Sequence, residues 1–208
     1  MIKSAFNKSM RRFSYPSSRY SLGMNPRISK IYSINAGDVI RNRTCDVIDV
    51  KKKYWCAISE RYGTSTTPQT VEANIAMVPP LLAVRKAPRS YIQHYITQLL
   101  LTADSERPMA FKLHPREGKE LEEIIFSLCN ERDRQASILE TEAPIESYFF
   151  AYKNFSLCGP PSTACVIASL FFSEKLVDRI KILPDKSNPY SQQHIGYFTS
   201  QNNYKIIG

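Results

Sequence analysis

The stretch Met109-Ala110-Phe111-Lys112-Leu113-His114-Pro115-Arg116-Glu117 sets an imidazole directly after a short apolar run, with a proline behind it. An imidazole at such a corner is held rigidly with its ring free to donate to a phosphate, and Pro115 suits the first turn of a following helix, where its missing N–H costs no bond. A second junction is Ser137-Ile138-Leu139, followed by Glu140 to Glu146 and an apolar run from Ser147 to Tyr152. Pro144 suits the start of that helix and puts the Glu146 carboxylate at its mouth. The third is Phe155-Ser156-Leu157-Cys158 leading into Gly159-Pro160-Pro161-Ser162-Thr163 and the apolar helix Ala164 to Phe172. Free N–H groups and the helix dipole favour an anion beside that hydroxyl pair. Each residue also has a plainer reading. His114 would be a solvated histidine at a helix start, Glu146 a first-turn charge contributing about 1 kcal/mol at most, and Ser162 or Thr163 an N-cap. Their repetition after consecutive strands favours a joint role as a nucleotide-sugar site, with imidazole and hydroxyls for phosphate and carboxylate for ribose.

Such residues meet only if the strands before them run parallel, because ligands collect where the carboxyl ends of parallel strands share one edge. The pattern around them supports that arrangement. Ser90 to Leu101 carries Tyr91, Ile92, Tyr95, Ile96, Leu99 and Leu100 at helical spacing, with Ser90 as cap. His94 falls largely opposite this stripe and reads as a surface histidine. Gly118 to Asn130 repeats the period with Leu121, Ile124, Ile125 and Leu128, and Arg179 to Leu183 is a final strand ended by Pro184. Short apolar strands alternating with helices predict an α/β fold, a Rossmann-like parallel sheet with helices on both faces. Ala76 to Val84, with Pro79-Pro80, reads as an extended connection, and Arg61 to Gln69 as a turn-rich loop. From Ile31 to Ile58 the chain reads as short β-like pieces, Val47-Ile48-Asp49-Val50 among them, with Lys51-Lys52-Lys53 as a solvated rim. The polar stretch from Asp185 to Gly208 either wraps back across the fold or stays mobile.

The domain plan that results is a basic segment 1–53, a connecting region 54–89, a donor-binding α/β domain 90–184 and a C-terminal tail 185–208. Charge is divided unevenly across it. Residues 1–53 hold twelve Lys/Arg and three Asp/Glu, a balance of +9 that equals the whole-chain value, while the remainder holds sixteen of each. Met1 to Arg27 is basic, serine-rich and free of acids. It reads as a linker between lobes, as a transit-like segment, or as a patch for anionic lipid or nucleic acid. Phe13, Tyr15, Tyr20 and Tyr32 interleave with the basic residues as a nucleic-acid groove requires, but no RNA-binding motif accompanies them. At 208 residues and 43% hydrophobic composition the chain can bury a substantial core. It has no apolar run of membrane-spanning length and no apolar signal core near Met1, which predicts a cytoplasmic protein. Cys45, Cys56, Cys129, Cys158 and Cys165 are odd in number and lack metal-ligand spacing, so a reducing compartment is expected, with Cys158 and Cys165 as small core residues. No internal repeat, P-loop, Gly-x-Gly-x-x-Gly or metal cluster is present, and no metal cofactor is expected.

The series Phe111 to Glu117, then Ala143-Pro144-Ile145-Glu146, then Gly159-Pro160-Pro161-Ser162-Thr163 resembles the donor-binding half of bacterial sialyltransferases with the GT-B fold, the lipooligosaccharide sialyltransferases and capsular polysialyltransferases. The resemblance spans about a third of the chain, from Phe111 to Phe172. It implies the C-terminal lobe of a GT-B glycosyltransferase, with CMP-sialic acid as donor and a surface glycan as acceptor. His114, in the His114-Pro115 pair, would bind the phosphate and support departure of CMP. Lys112 would lie near cytosine or phosphate, Glu146 on the ribose, and Ser162 and Thr163 on the phosphate. Those enzymes also carry an acidic Asp/Glu-Asp-Gly motif whose carboxylate deprotonates the acceptor, whereas the first acidic residue here is Asp38. The expectation is therefore a truncated chain that holds the donor site but lacks the acceptor lobe and catalytic base, transfers poorly or not at all unless a partner lobe or subunit is supplied, and makes peripheral contact with anionic membrane through residues 1–53. The alternative is a basic module that docks on lipid or nucleic acid and uses the α/β domain as scaffold.

Overall fold

The computed structural model describes residues 30–33, 46–62, 72–186, 188, 195–196, 198–199 and 202–207. The basic segment Met1–Arg27, Cys45 and residues 63–69 of the expected loop lie outside these. The chain divides into two compact units, Met1–Ala57 and Ile58–Gly208. In the first, strand β1 (Lys30–Ser33) pairs in parallel with β2 (Asp46–Asp49). Helix α1 (Lys51–Tyr62) follows and contains the boundary between the units, and the Asp49 carboxylate accepts the Lys51 N–H at 2.8 Å as the helix begins. Lys51-Lys52-Lys53 is exposed, as expected, but helical. The β-like reading failed here because the apolar residues of α1 run consecutively from Tyr54 to Ile58, a strand-like block without the 3.6-residue period.

The second unit is a parallel sheet. Its elements in chain order are β3 (Ala73–Met77), α2 (Arg89–Thr102), β4 (Met109–Lys112), α3 (Lys119–Asn130), β5 (Ala136–Ile138), α4 (Ile145–Ala151), β6 (Phe155–Gly159), α5 (Thr163–Phe171), a 3₁₀ turn at Ser173–Lys175, β7 (Ile180–Ile182) and β8 (Tyr204–Ile206). The six strands lie in the order β5-β4-β3-β6-β7-β8, every neighbouring pair parallel. Numbered within the sheet this is 3-2-1-4-5-6, the order of Rossmann dinucleotide-binding folds, with its topological switch point between β3 and β6.

Two strands come from stretches not read as strands. β3 occupies the centre of the sheet yet starts inside the expected connecting region 54–89, and β8 is an edge strand inside the expected tail. The sequence Ala-Asn-Ile-Ala-Met of β3 is buried at all five positions. A strand covered on both faces shows no alternation, and one polar residue interrupts its apolar run. That residue, Asn74, is 2% exposed and fully engaged. Its amide donates to the carbonyls of Asp104 and Arg107 at 2.8 and 2.9 Å, and its Oδ1 accepts from Ser156 Oγ and the Asp104 N–H. Arg134 donates to the same two carbonyls. This network ties β3, β6 and the loop before β4 together near the amino ends of the strands.

Strand alternation distributes the core. Ala76, Met109, Phe111 and Cys158 pack with Ile92, Ile96 and Leu99 of α2 and Leu121, Ile124 and Ile125 of α3. On the opposite face Phe155 stacks on Phe149 of α4 at 4.9 Å, and Phe172 meets Phe149 and Phe150 edge-on. The carbonyls at the end of α4 are capped by one ammonium: Lys175 Nζ donates to Phe149, Phe150 and Tyr152 at 3.2, 3.0 and 3.0 Å. A cation there also complements the helix dipole. Helix α4 is only seven residues long and depends on such support. Among the described residues no helix is long and apolar enough to cross a membrane.

Candidate functional site

The register of the sheet decides which residues can meet. Met77 pairs with Lys112, Ala76 with Cys158 and Gly159 with Ile182, so β3, β4, β6 and β7 end together. Along that edge lies an open cleft of about 470 Å³. Lys112, His114, Pro115, Glu146, Ser162 and Thr163 all line it. The cleft sits at the switch point, where the connections from β3 and β6 leave toward opposite faces and open a crevice. Gly159 makes this close approach possible: a Cβ there would stand 2.7 Å from Met77 Cβ and 2.8 Å from the Met77 carbonyl, and its φ of +157° further disfavours a side chain.

His114 follows β4 by two residues and is half-buried. The Arg116 N–H donates to His114 Nδ1 at 3.2 Å, and the Glu117 N–H donates to the His114 carbonyl at 2.9 Å. With Nδ1 accepting, the neutral ring carries its proton on Nε2, so the second nitrogen is the donor. The expected helix start at Pro115 is corrected. Pro115 and Arg116 form a turn, and α3 begins at Lys119 with Gly118 as N-cap. The turn satisfies Pro115 as well as a helix would, since its fixed φ suits either, and the turn is what brings the Arg116 N–H onto the imidazole.

Lys112 lines the cleft, but its ammonium is engaged. It donates to the carbonyls of Glu140 and Thr141, the latter at 2.9 Å, and lies 6.0 Å from the Tyr148 ring centre. Partial burial lowers its pKa, opposed by the carboxylates of Glu140, Glu142 and Glu146. The geometry gives Lys112 a clamping role, holding the connection from β5 to α4, and through it Glu146 near the start of α4 with Pro144 as N-cap.

Ser162 is the N-cap residue of α5 by backbone geometry, with φ −155° and ψ 162°, yet its hydroxyl makes no capping bond. Its nearest polar contacts are sulfurs, Cys165 Sγ at 3.5 Å and Met77 Sδ at 3.8 Å. Thr163 is exposed at the first helical position. Thr163 and Ala164 at the start of α5 line the cleft, at the positive end of the helix dipole and without side-chain capping by Ser162, while the Cys165 N–H donates to the Ser162 carbonyl at 3.2 Å. Cys165 and Cys158 beneath them are inert, because burial pushes their thiols up to about 12 and about 11.

Two charged residues of the cleft escaped sequence reasoning. Arg85 lies in the loop after β3, and Asp185 in the connection after β7. Asp185 is 1% exposed, accepts the Tyr91 hydroxyl at 3.0 Å and stands 3.9 Å from Arg85 Nε. Both follow strand ends, the placement that singled out His114, but Arg85 became visible by that rule only once Ala73–Met77 was known to be a strand. His94 is exposed, as expected, and lies away from this cleft. Among the described residues no group of His, Cys, Asp and Glu is arranged to hold a metal ion.

No family model matches the chain, and no curated protein matches it in sequence.

Proposed function

We propose that this protein binds a cytidine nucleotide sugar in the switch-point cleft and belongs to a sialyltransferase-type glycosyltransferase system of the GT-B kind. One observation carries the reading: the three junctions that suggested phosphate and ribose contacts from sequence line a single cleft of about 470 Å³, within the usual size range of ligand sites. Departure of CMP from an anomeric carbon builds negative charge on the phosphate. Donors fixed in place before the reaction stabilise that charge in the transition state. His114 Nε2–H and the mouth of α5 at Ser162 and Thr163 would supply them, with Glu146 on the ribose hydroxyls and Lys112 holding the loop that carries Glu146. The acceptor hydroxyl of a surface glycan also requires a base, which contributes roughly 10²–10⁴-fold; this reading assigns it to a second lobe or partner subunit.

Calorimetric titration of CMP, with UMP and GMP as controls, tests the assignment. The wild-type chain should bind CMP selectively, and His114→Ala and Ser162→Ala should each weaken binding by about ten-fold or more. A folded wild-type chain that binds none of the three nucleotides would defeat it.

The confinement of the +9 charge to residues 1–53 favours a second reading, a basic module docking on anionic lipid or nucleic acid. In that case binding to anionic vesicles or nucleic acid would fall steeply with salt and depend on residues 1–53, and His114→Ala would change nothing. Peripheral attachment to a membrane through the same residues is compatible with the transferase reading.

A further inference from the structure

The groups around the cleft follow the strand order. Glu146 comes after β5, His114 after β4, Arg85 after β3, Ser162 and Thr163 after β6, and Asp185 after β7. At about 4.8 Å per strand this edge spans roughly 19 Å from β5 to β7. If ribose lies at Glu146 and phosphate between His114 and the α5 mouth, the β7 side receives whatever the phosphate is joined to. Arg85 faces that side, since its Nε lies 3.9 Å from Asp185 Oδ2.

Arg85 is ion-paired with Asp185, and its side chain is 30% exposed, but its Nε makes no hydrogen bond among the described residues. That Nε is buried, and 3.9 Å to Asp185 is beyond a hydrogen bond. A buried guanidinium N–H without an acceptor is unfavourable unless something completes it. The loop that carries it is nonetheless fixed. Glu117 accepts the N–H groups of Leu82 and Ala83 at 3.0 and 3.3 Å, the Arg85 N–H reaches the Pro80 carbonyl at 3.1 Å, and Leu81 is fully buried. Asp185 balances the charge nearby and is anchored by Tyr91. A guanidinium carried by a fixed loop and lining the cleft can offer paired donors to two oxygens of one anionic group.

We infer that Arg85 is a specificity-determining residue that binds a second anionic group of the ligand, beyond the nucleotide phosphate on the β7 side. The inference rests on the nucleotide reading above. The chemistry is that of a carboxylate on the transferred sugar or of a second phosphoryl group. It makes Arg85 a recognition element that none of the three sequence junctions contains.

The test is calorimetric titration of the full chain with CMP, CMP-sialic acid and CDP, for wild type, Arg85→Met and Arg85→Lys, with thermal melting to establish folding. The wild type should bind CMP-sialic acid or CDP about ten-fold or more tightly than CMP, and which of the two gains tells carboxylate from phosphoryl. Arg85→Met should erase most of that gain while CMP affinity changes by no more than about three-fold, and Arg85→Lys should restore part of it. A gain that survives in Arg85→Met, or a wild type that binds CMP without any gain for either larger ligand, would overturn the role of Arg85 and leave the nucleotide site standing. Failure of the wild type to bind CMP at all would overturn both.

Discussion

The imidazole of His114 shows how one backbone N–H can set the chemistry of a site. Because Arg116 donates to Nδ1, the neutral ring presents Nε2–H as its donor, and the turn at Pro115-Arg116 preserves this orientation without any help from α3. Asparagine at this position can accept from the same N–H through its side-chain oxygen but cannot place a donor where Nε2 lies. His114→Asn is therefore expected to melt close to wild type and to bind CMP about ten- to a hundred-fold more weakly, the effect of one hydrogen bond to a charged group. Unchanged affinity in a normally folded variant would show that the ring makes no ligand contact. Lys112 teaches a different lesson at this scale. The sialyltransferase resemblance implied a phosphate or base contact for it, whereas its ammonium is engaged by the Glu140 and Thr141 carbonyls, from a connection 28 and 29 residues further along the chain. A sequence identifies a cation; the backbone acceptors that claim it belong to the fold.

Helices were legible where burial is one-sided. The stripes of α2 and α3 put Ile92, Ile96 and Leu99, and Leu121, Ile124 and Ile125, against the sheet at the predicted spacing. Strands β4, β6 and β7 fall within one or two residues of expectation, because each is a compact apolar run closed by a turn signal. The failures come where neither a period nor a clear apolar run closed by a turn signal is present. β3 is buried on both faces and contains Asn74, β8 is only three residues long, and α1 carries its apolar residues in a consecutive block. In each the period that distinguishes strand from helix is missing, and tertiary context alone decides. Gly159 marks where this context is tightest. The ends of β3 and β6 approach so closely that Gly159→Ala sets a methyl 2.7 Å from Met77 Cβ, with backbone as the next neighbour. The strand ends must then part. Urea unfolding should show a loss of about 1–3 kcal/mol, accompanied by weaker CMP binding because Met77 and Ser162 border the same cleft. An unaltered midpoint would mean that the switch point is more yielding than its geometry implies.

For the molecule as a whole, the strand order matters more than any single motif. The order 3-2-1-4-5-6 brings connections from five strands to one edge, so residues between 77 and 188 line one crevice although they are spread over more than a hundred positions. The sequence supplied the ends of β4, β5 and β6, and with them His114, Glu146, Ser162 and Thr163. It could not supply Arg85 or Asp185, since the first depends on an unrecognised central strand and the second on a connection read as tail. The excess charge of residues 1–53 underlies the second proposal, docking on anionic surfaces, and a steep fall of vesicle or nucleic-acid binding with salt would support it. The central claim, a nucleotide site at the switch point, is tested most directly by a crystal structure of the protein with CMP. The phosphate should lie between His114 Nε2 and the first turn of α5, with the ribose hydroxyls on Glu146. A nucleotide bound elsewhere, or bound in this cleft with its phosphate away from both His114 and Thr163, would contradict the account.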